Sequence, residues 1–341
     1  MIDDVFLRQV PPALKAGIED GTLSVHGSVL RHANGQIAGF LQETGGLSKL
    51  VGLAMGGPTA PLRLIGDTLK IVQNEQIKHG IMHLQQSVAM LNQLGIASVA
   101  LGAVGIGVSA VGFAVMSRKI DGLREQVAAL GEKLDAIHAD VRAIDLTLVA
   151  DQLQQLRGLA RSVDAGWTMS ADGARRSWRT DASEARQLHD FFEGRAERLL
   201  ADRPLAVIEA APLLDASATA SALRVSALAL SGETAAAIGV AQDDAARLER
   251  LTGGVGAADL ARDWLTKPDR LQSPGSDAAG LALTQATSEA RAAASTLRNR
   301  EAVAATRALP LMALEGKGMT ARDWLGAARD EAASPLLLME A

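Results

Sequence analysis

The sequence predicts a mainly α-helical fold: an elongated helical bundle with a long central coiled-coil helix, a hydrophobic helix or hairpin, and a small N-terminal β-hairpin. Three observations lead to this fold class. Apolar residues recur at spacings of three and four over much of the chain after residue 60. Residues 95–116 form a 22-residue segment without any charge. An unbroken heptad pattern follows this segment directly and indicates a coiled coil.

The composition limits the classes of function. Of the 341 residues, 48% are hydrophobic but only 3% aromatic, so small aliphatic side chains supply most of the apolar surface. The formal net charge of −5 disfavours nucleic acid as a partner, because such binding needs a clustered positive field. The chain has no cysteine, which excludes disulfides and thiolate chemistry.

The first 60 residues form a small N-terminal region with its own pattern. Val25 and Val29 are strand formers, and alternating residues follow from Ile37. Between them lies Asn34-Gly35, the strongest short hairpin signal, which favours a type I′ turn. The very start of the chain is acidic and lacks a long apolar stretch, so we expect no Sec signal peptide. The expected location is membrane-associated, or cytoplasmic in a soluble form.

The second region, residues 61–165, contains long helices and the hydrophobic segment 95–116. In one heptad register this segment places large residues at one seam position and small residues at the positions beside it. We predict that this face contacts lipid or another helix. The contact residues are Gly95, Ser98, Val99, Gly102, Gly105, Ile106, Ser109, Gly112 and Phe113.

A coiled coil is predicted over residues 118–160. Arg118 and Lys119 end the uncharged segment and would anchor it at a membrane interface. The seam residues step by three and four; they are Ile120, Leu123, Val127, Leu130, Leu134, Ile137, Val141, Ile144 and Leu148. If one straight helix ran from about Leu91 to Leu156, it would be roughly 100 Å long. The seam predicts a homo-oligomer or a partner helix.

Two interpretations of residues 95–116 remain open. The segment is long enough to cross a hydrocarbon core of about 30 Å, which favours a membrane span. A segment rich in glycine and alanine is equally typical of a buried helix in a soluble bundle, where small residues allow close packing.

Residues 166–341 form an alanine-rich helical region in the sequence. The expected breaks are the prolines and paired glycines: Pro204, Pro212, Gly253-Gly254, Pro268, Pro274-Gly275 and Pro310. Trp264 and Trp324 occur within a repeated Ala-Arg-Asp-Trp-Leu sequence, and we expect both to anchor helix packing.

No residue pattern identifies an enzyme, a cofactor site or a metal site. His79 and His83 share a helix face, but a solvated polar face explains them more simply than a metal does. His189, next to Asp190, is a conceivable general base without an evident nucleophile. The basic cluster at residues 175–179 is flanked by acids and indicates a salt-bridged helix face. We therefore expect no catalytic, cofactor-binding or metal-binding residues.

This architecture resembles that of the α-helical pore-forming toxins of the cytolysin A and haemolysin BL type. The resemblance covers roughly residues 61–165, where a hydrophobic segment adjoins a long amphipathic helix. It implies a membrane-active protein that inserts residues 95–116 into lipid and self-associates through the coiled coil, as a toxin or defence effector. The alternative is a soluble helical scaffold or interaction protein with this segment buried in a bundle.

Overall fold

The protein is mainly α-helical with a β-hairpin near its N-terminus, as the sequence predicts. The structure, a computed structural model, describes residues 8–9, 17, 20–26, 28–45, 120–128, 146–202, 205–265, 277–331 and 336–340. The predicted membrane-contact face at 95–116, with Arg118 and Lys119, lies outside these residues.

The elements are numbered here in chain order. The strands are β1 (Arg8–Gln9), β2 (Leu23–His26), β3 (Val29–His32), β4 (Ile37–Glu43) and β5 (Leu336–Glu340). The helices are α1 (residues 120–128), α2 (Leu146–Ala165), α3 (Ala171–Asp202), α4 (Val207–Leu230), α5 (Thr234–Thr252), α6 (Ala257–Leu265), α7 (Asp277–Thr306), α8 (Leu309–Gly316) and α9 (Ala321–Asp330). A 3₁₀ turn, Gly166–Thr168, separates α2 from α3.

The strands form one antiparallel sheet in the order β1-β5-β4-β3-β2. The predicted hairpin is therefore part of a larger sheet, in which the last strand of the chain lies between β1 and β4. Phe40 is paired with Val29 on one side and with Met339 on the other, and all three side chains lie in the main core. The sheet thus joins both ends of the described chain to the helical core.

The β3–β4 turn lies at Asn34-Gly35 but is not of type I′. Only Gly35 has a positive φ, +85°, whereas a type I′ turn needs φ > 0 at both central residues. The amide of Gly35 donates to the carbonyl of His32 (2.8 Å), and that of His32 donates to the carbonyl of Gln36 (2.9 Å). This pattern is typical of a three-residue loop in which glycine takes the left-handed position after a turn.

Helix α4 lies at the centre of the helical region. It is mostly apolar and its polar residues are not gathered on one face, so burial on most sides is its stable environment in water. Helices α3 and α5 pack against it, and α7 packs against α5. The predicted break at Pro212 is wrong, because this proline lies inside α4. It removes one hydrogen bond near the start of the helix, a cost that burial of the apolar helix outweighs.

Helices α1 and α2 lie side by side. Arg157 of α2 donates to Asp121 of α1 over 3.1 Å, and Arg124 donates to Gln154 over 3.4 Å. The residue numbers of the two pairs have the same sum, which indicates an antiparallel arrangement. A straight helix would separate residues 121 and 157 by about 54 Å, so a single straight helix to Leu156 is ruled out. The seam of α1 therefore meets another part of the same chain.

Helix α3 is fixed against α2 by Trp178 and Asp181. The indole of Trp178 is fully buried and donates to the carbonyl of Val163 over 3.0 Å. A side chain at Gly166 would collide with that indole, which explains glycine there. Ser162 donates to one oxygen of Asp181 over 2.7 Å, and burial raises the pKa of this carboxyl.

The antiparallel arrangement of α1 and α2 predicts a short distance between spin labels on cysteines introduced at residues 121 and 157. Because the chain has no native cysteine, the labels attach only at these two sites. We expect double electron–electron resonance to give an intramolecular distance under about 25 Å, unchanged on dilution with unlabelled protein. A distance near 54 Å would instead support one straight helix.

The buried Asp181 predicts a pH-dependent gain in stability for Asp181→Asn. Its pKa is higher in the folded than in the unfolded state, so its ionisation costs stability as the pH rises through that interval. Below both pKa values the cost disappears. Urea unfolding should show Asp181→Asn gaining stability over wild type at pH 7 relative to pH 3. The exposed control Asp151→Asn should show no such gain, and an equal gain at both pH values would contradict the assignment.

Candidate functional site

The predicted seam residues fall partly within the described chain. Ile120, Leu123 and Val127 are buried and belong to the same core cluster as Val149 and Leu153 of α2. Leu148 is half-buried. The remaining seam positions, Leu130, Leu134, Ile137, Val141 and Ile144, lie outside the described residues, as do His79, His83 and His138.

The main concentration of buried polar side chains lies instead between α3, α4 and α5, centred on His189. This imidazole is 3% exposed and comes from the face of α3 that packs on α4. Its Nδ1 lies 2.9 Å from the hydroxyl of Ser217 and 3.2 Å from the carbonyl of the same residue. Its Nε2 makes no hydrogen bond within the described chain. The nearest carboxylate oxygens to Nε2 belong to Asp244, at 3.4 Å, and Glu193, at 3.7 Å.

A second chain of hydrogen bonds continues from Asp244. Ser221 donates to Asp244 Oδ2 over 2.5 Å and accepts from Arg307 over 2.7 Å. Arg307 follows α7 directly and is deeply buried, which lowers the pKa of its guanidinium, while the charge of Asp244 acts in the opposite direction. The Ser221 hydroxyl thus lies between the buried guanidinium of Arg307 and the buried carboxylate of Asp244 and forms a hydrogen bond with each.

The side of the cluster nearer the solvent is closed by Glu193 and Arg247. Their side chains form an ion pair of 3.0 Å, and Glu193 raises the pKa of Arg247. The side chain of Glu193 is 17% exposed, whereas that of Arg247 is 44% exposed. The Glu193 carboxylate therefore lies between the buried imidazole of His189 and the guanidinium of Arg247 at the surface.

Further charged contacts tie α7 to the same helices. Arg300 holds both carboxylate oxygens of Asp215 on α4, each over 2.8 Å. Arg298 donates to the carbonyl of Thr252, where α5 ends, over 2.6 Å. Bidentate pairs and capped helix ends of this kind fix the relative position of helices.

The cluster encloses a cavity of about 40 Å³, lined by polar groups of His189, Glu193, Ser217, Ser221, Asp244 and Arg307 among apolar side chains. That volume suits a water or a metal ion, whereas organic ligands occupy pockets of about 300–1,000 Å³. The trio of Ser217, His189 and Asp244 has the residue types of a hydrolase triad. Its serine is 6% exposed inside a helix, however, and the cavity beside it is too small for an organic substrate.

Sequence reasoning singled out His189 but missed its partners. Ser217 and Ser221 are spaced by four in a mostly apolar helix, which places them on one face. That spacing is the one sequence signal for a buried polar contact. Asp244 had no such signal, because it occurs among exposed charged residues of α5.

The other sequence candidates have structural roles. In the basic cluster, Arg179 pairs with Glu233 over 2.6 Å, which agrees with a salt-bridged face. Trp324 is 1% exposed and its indole donates to Gln42 of β4 over 3.1 Å, joining α9 to the sheet. Trp264 is half-buried against the core.

Comparisons with known proteins gave no match to a family model, to a curated protein or to a solved structure. Within the described residues, one helical segment, Glu209–Leu230, has the length and apolar character of a membrane span. It is the central part of α4, and 78% of its most apolar window is buried. Core helices of soluble proteins have the same properties.

The buried charges predict a large stability loss for Arg307→Met. Removing this cation leaves Asp244 as an uncompensated buried charge, a change that costs about 3–5 kcal/mol. Urea unfolding should detect the loss, and Arg307→Met combined with Asp244→Asn should cost less than the two single changes together. The control is Arg262→Met in the exposed pair with Asp259, where less than about 1 kcal/mol is expected. Equal losses in both variants would contradict a special role for the buried charge.

Proposed function

We propose that this chain is a membrane-active helical protein that inserts residues 95–116 into a lipid bilayer. The observation that carries the proposal is the segment itself: 22 uncharged residues with large and small side chains sorted in heptad phase. Arg118 and Lys119 would remain at the lipid interface. Pore formation or membrane disruption, for attack or defence, is the concrete activity proposed, in keeping with the resemblance to α-helical pore-forming toxins.

The folded body on either side of the segment supports this proposal. Phe40 of β4 precedes the segment and Ile120 of α1 follows it, and both side chains belong to one core cluster. Residues on both sides of the segment therefore belong to one folded body. Helix α4 contains the one segment within the described residues that has the length and apolar character of a membrane span, and most of it is buried in that body. Residues 95–116 would then be the part that contacts lipid.

Self-association is proposed to follow the seam that begins at Ile120. In this structure the seam residues of α1 are buried in the core that includes α2, as their exposures of 0–5% indicate. Seam-mediated assembly would therefore require α1 to exchange its intramolecular neighbour for an equivalent helix of another copy. Domain swapping of this kind keeps the same contacts and changes only which chain supplies them.

The second candidate function is a soluble helical scaffold or interaction protein. It is favoured by one specific observation, the burial of α4, because this helix meets the length and hydropathy of a membrane span and is nevertheless a core helix. Residues 95–116 would then be a second helix of the same kind. Behaviour in a carbonate wash distinguishes the two functions, since a peripheral or soluble protein is released and an inserted one is not.

Insertion through residues 95–116 predicts flotation with liposomes and release of an entrapped dye. Ile106→Lys places a charge near the middle of the segment, which costs about 2.5–3.5 kcal/mol in a bilayer. The partition coefficient into vesicles should fall roughly 100-fold, since 1.4 kcal/mol corresponds to a factor of ten. The matched control is Gln155→Lys, the same charge on an exposed position of α2, which should float and leak like wild type.

Absence of both flotation and leakage between pH 4 and pH 8, from protein that stays soluble without detergent, would contradict membrane activity. Equal leakage by Ile106→Lys and wild type would contradict insertion through this segment. The first result favours the scaffold function, whereas the second would assign the membrane activity to another segment of the chain.

A further inference from the structure

We propose that the end of the folded body where α2 turns into α3 is a second lipid-contacting surface, which lies in the headgroup layer of the bilayer. This surface, called here the headgroup face, consists of Arg161, Trp167, Met169, Arg175 and Arg176. Its partner is the headgroup layer of a phosphatidylcholine bilayer. The inference rests on the proposed insertion of residues 95–116 and adds the orientation of the folded body on the membrane.

The chain that carries the uncharged segment is attached to the body at this end. A Cβ atom on Gly45 would collide with the carbonyl oxygen of Arg329, so the two backbones are in close contact. The guanidinium of Arg329 pairs with Asp164, near the end of α2, over 2.6 Å. On the other side of the segment, the antiparallel register of α1 and α2 places Ile120 level with Gly158 of α2. Both attachments therefore lie near the C-terminal end of α2.

The short connection from Met116 to Ile120 limits the distance between the body and the bilayer. Four residues of extended chain reach at most about 14 Å, so Ile120 lies within that distance of the end of the inserted segment. Because α1 and α2 are antiparallel, α2 extends about 10 Å past Ile120 on the side from which the chain enters α1. The turn after α2 is thus the part of the body that reaches the headgroup layer, which is about 5–8 Å thick.

The apolar side chains of this turn suit the boundary between lipid and water. Met169 is 44% exposed and is one of four large hydrophobic side chains that are exposed among the described residues. Trp167 is half-buried, and its ring packs edge to face on the buried Trp178 with 5.5 Å between the centroids. The guanidinium of Arg329 lies 5.7 Å from the centroid of the Trp167 ring. A partly exposed tryptophan that is fixed in this way is typical of membrane interfaces.

Arginines surround the same turn. Arg161 is exposed one turn beyond Arg157, on the face of α2 that contacts α1. Arg175 and Arg176 are exposed near the start of α3. Over residues 158–176 and 329–331, four arginines stand beside four acids: Arg161, Arg175, Arg176 and Arg329 with Asp164, Asp172, Asp330 and Glu331. Because these formal charges cancel, we expect the contact to need no anionic lipid and to depend on the tryptophan and the methionine.

The test uses full-length chains that carry one introduced cysteine each, because the protein has no native cysteine to compete for a solvent-sensitive fluorescent label. A label at Met169→Cys reports on the headgroup face. The control label is at Arg250→Cys, an exposed position of α5. Arg247 of α5 pairs with Glu193, 22 residues along α3 from Ala171, so Arg250 lies more than about 30 Å from the start of α3.

On phosphatidylcholine vesicles, the emission of the label at residue 169 should shift to shorter wavelength. Lipids with a nitroxide on the headgroup should quench this label, and the label at residue 250 should show neither effect. Met169→Asp should lower the partition coefficient into vesicles by about three- to tenfold, because one partial apolar contact is lost while the inserted segment is intact. The matched control Gln242→Asp, the same charge on an exposed position of α5, should partition like wild type.

Flotation of the wild type separates this inference from the proposed function. If the wild type floats and Ile106→Lys does not, but the label at residue 169 fails to respond or both labels respond equally, the headgroup face is overturned and the insertion stands. If the wild type does not float, the insertion fails and the headgroup face fails with it.

Discussion

Burial of α4 is the constraint on which the rest of the helical structure depends. This helix has no polar face, so neighbouring helices must cover it from several sides. Its few polar residues then lose water and need partners within the protein. Asp215 is met by Arg300, Ser217 by His189 and Ser221 by Asp244. The buried ionic cluster is therefore a consequence of enclosing α4, and it also determines which faces of α3, α5 and α7 meet there.

The sheet imposes a second constraint, because it joins the two ends of the described chain. Strand β5 pairs with β4 and β1, while Thr306 and Trp324 bond to His26 and Gln42 across more than 250 residues. Such contacts form only after long loops have closed. Loop closure costs chain entropy, whereas a helix forms from local contacts and does not have this cost. The result is a body in which the residues before the uncharged segment and those after it share one core.

The sequence was sufficient for features that depend on local signals. Periodicity predicted the helices, and Asn34-Gly35 located a hairpin, although the turn type was wrong because Asn34 does not have a positive φ. Non-local features could not be derived. Residues 336–340 are a short apolar run that fits a strand or a buried helix equally. The contacts of His189 come from two other helices, at residues 28 and 55 positions away in the chain, and only the packing of α4 brings them together.

The heptad seam shows most clearly what a pattern leaves undetermined. A repeat specifies a strip of apolar surface and is silent on which helix covers it. In this structure α2 lies beside α1, and because both helices belong to one chain their contact is intramolecular and has a high effective concentration. Another copy of the chain must compete with that tethered neighbour before the seam can drive assembly. Insertion of residues 95–116 would shift this balance, because it concentrates copies of the chain in a plane. The order of events in the proposed function is then membrane contact first and seam exchange second.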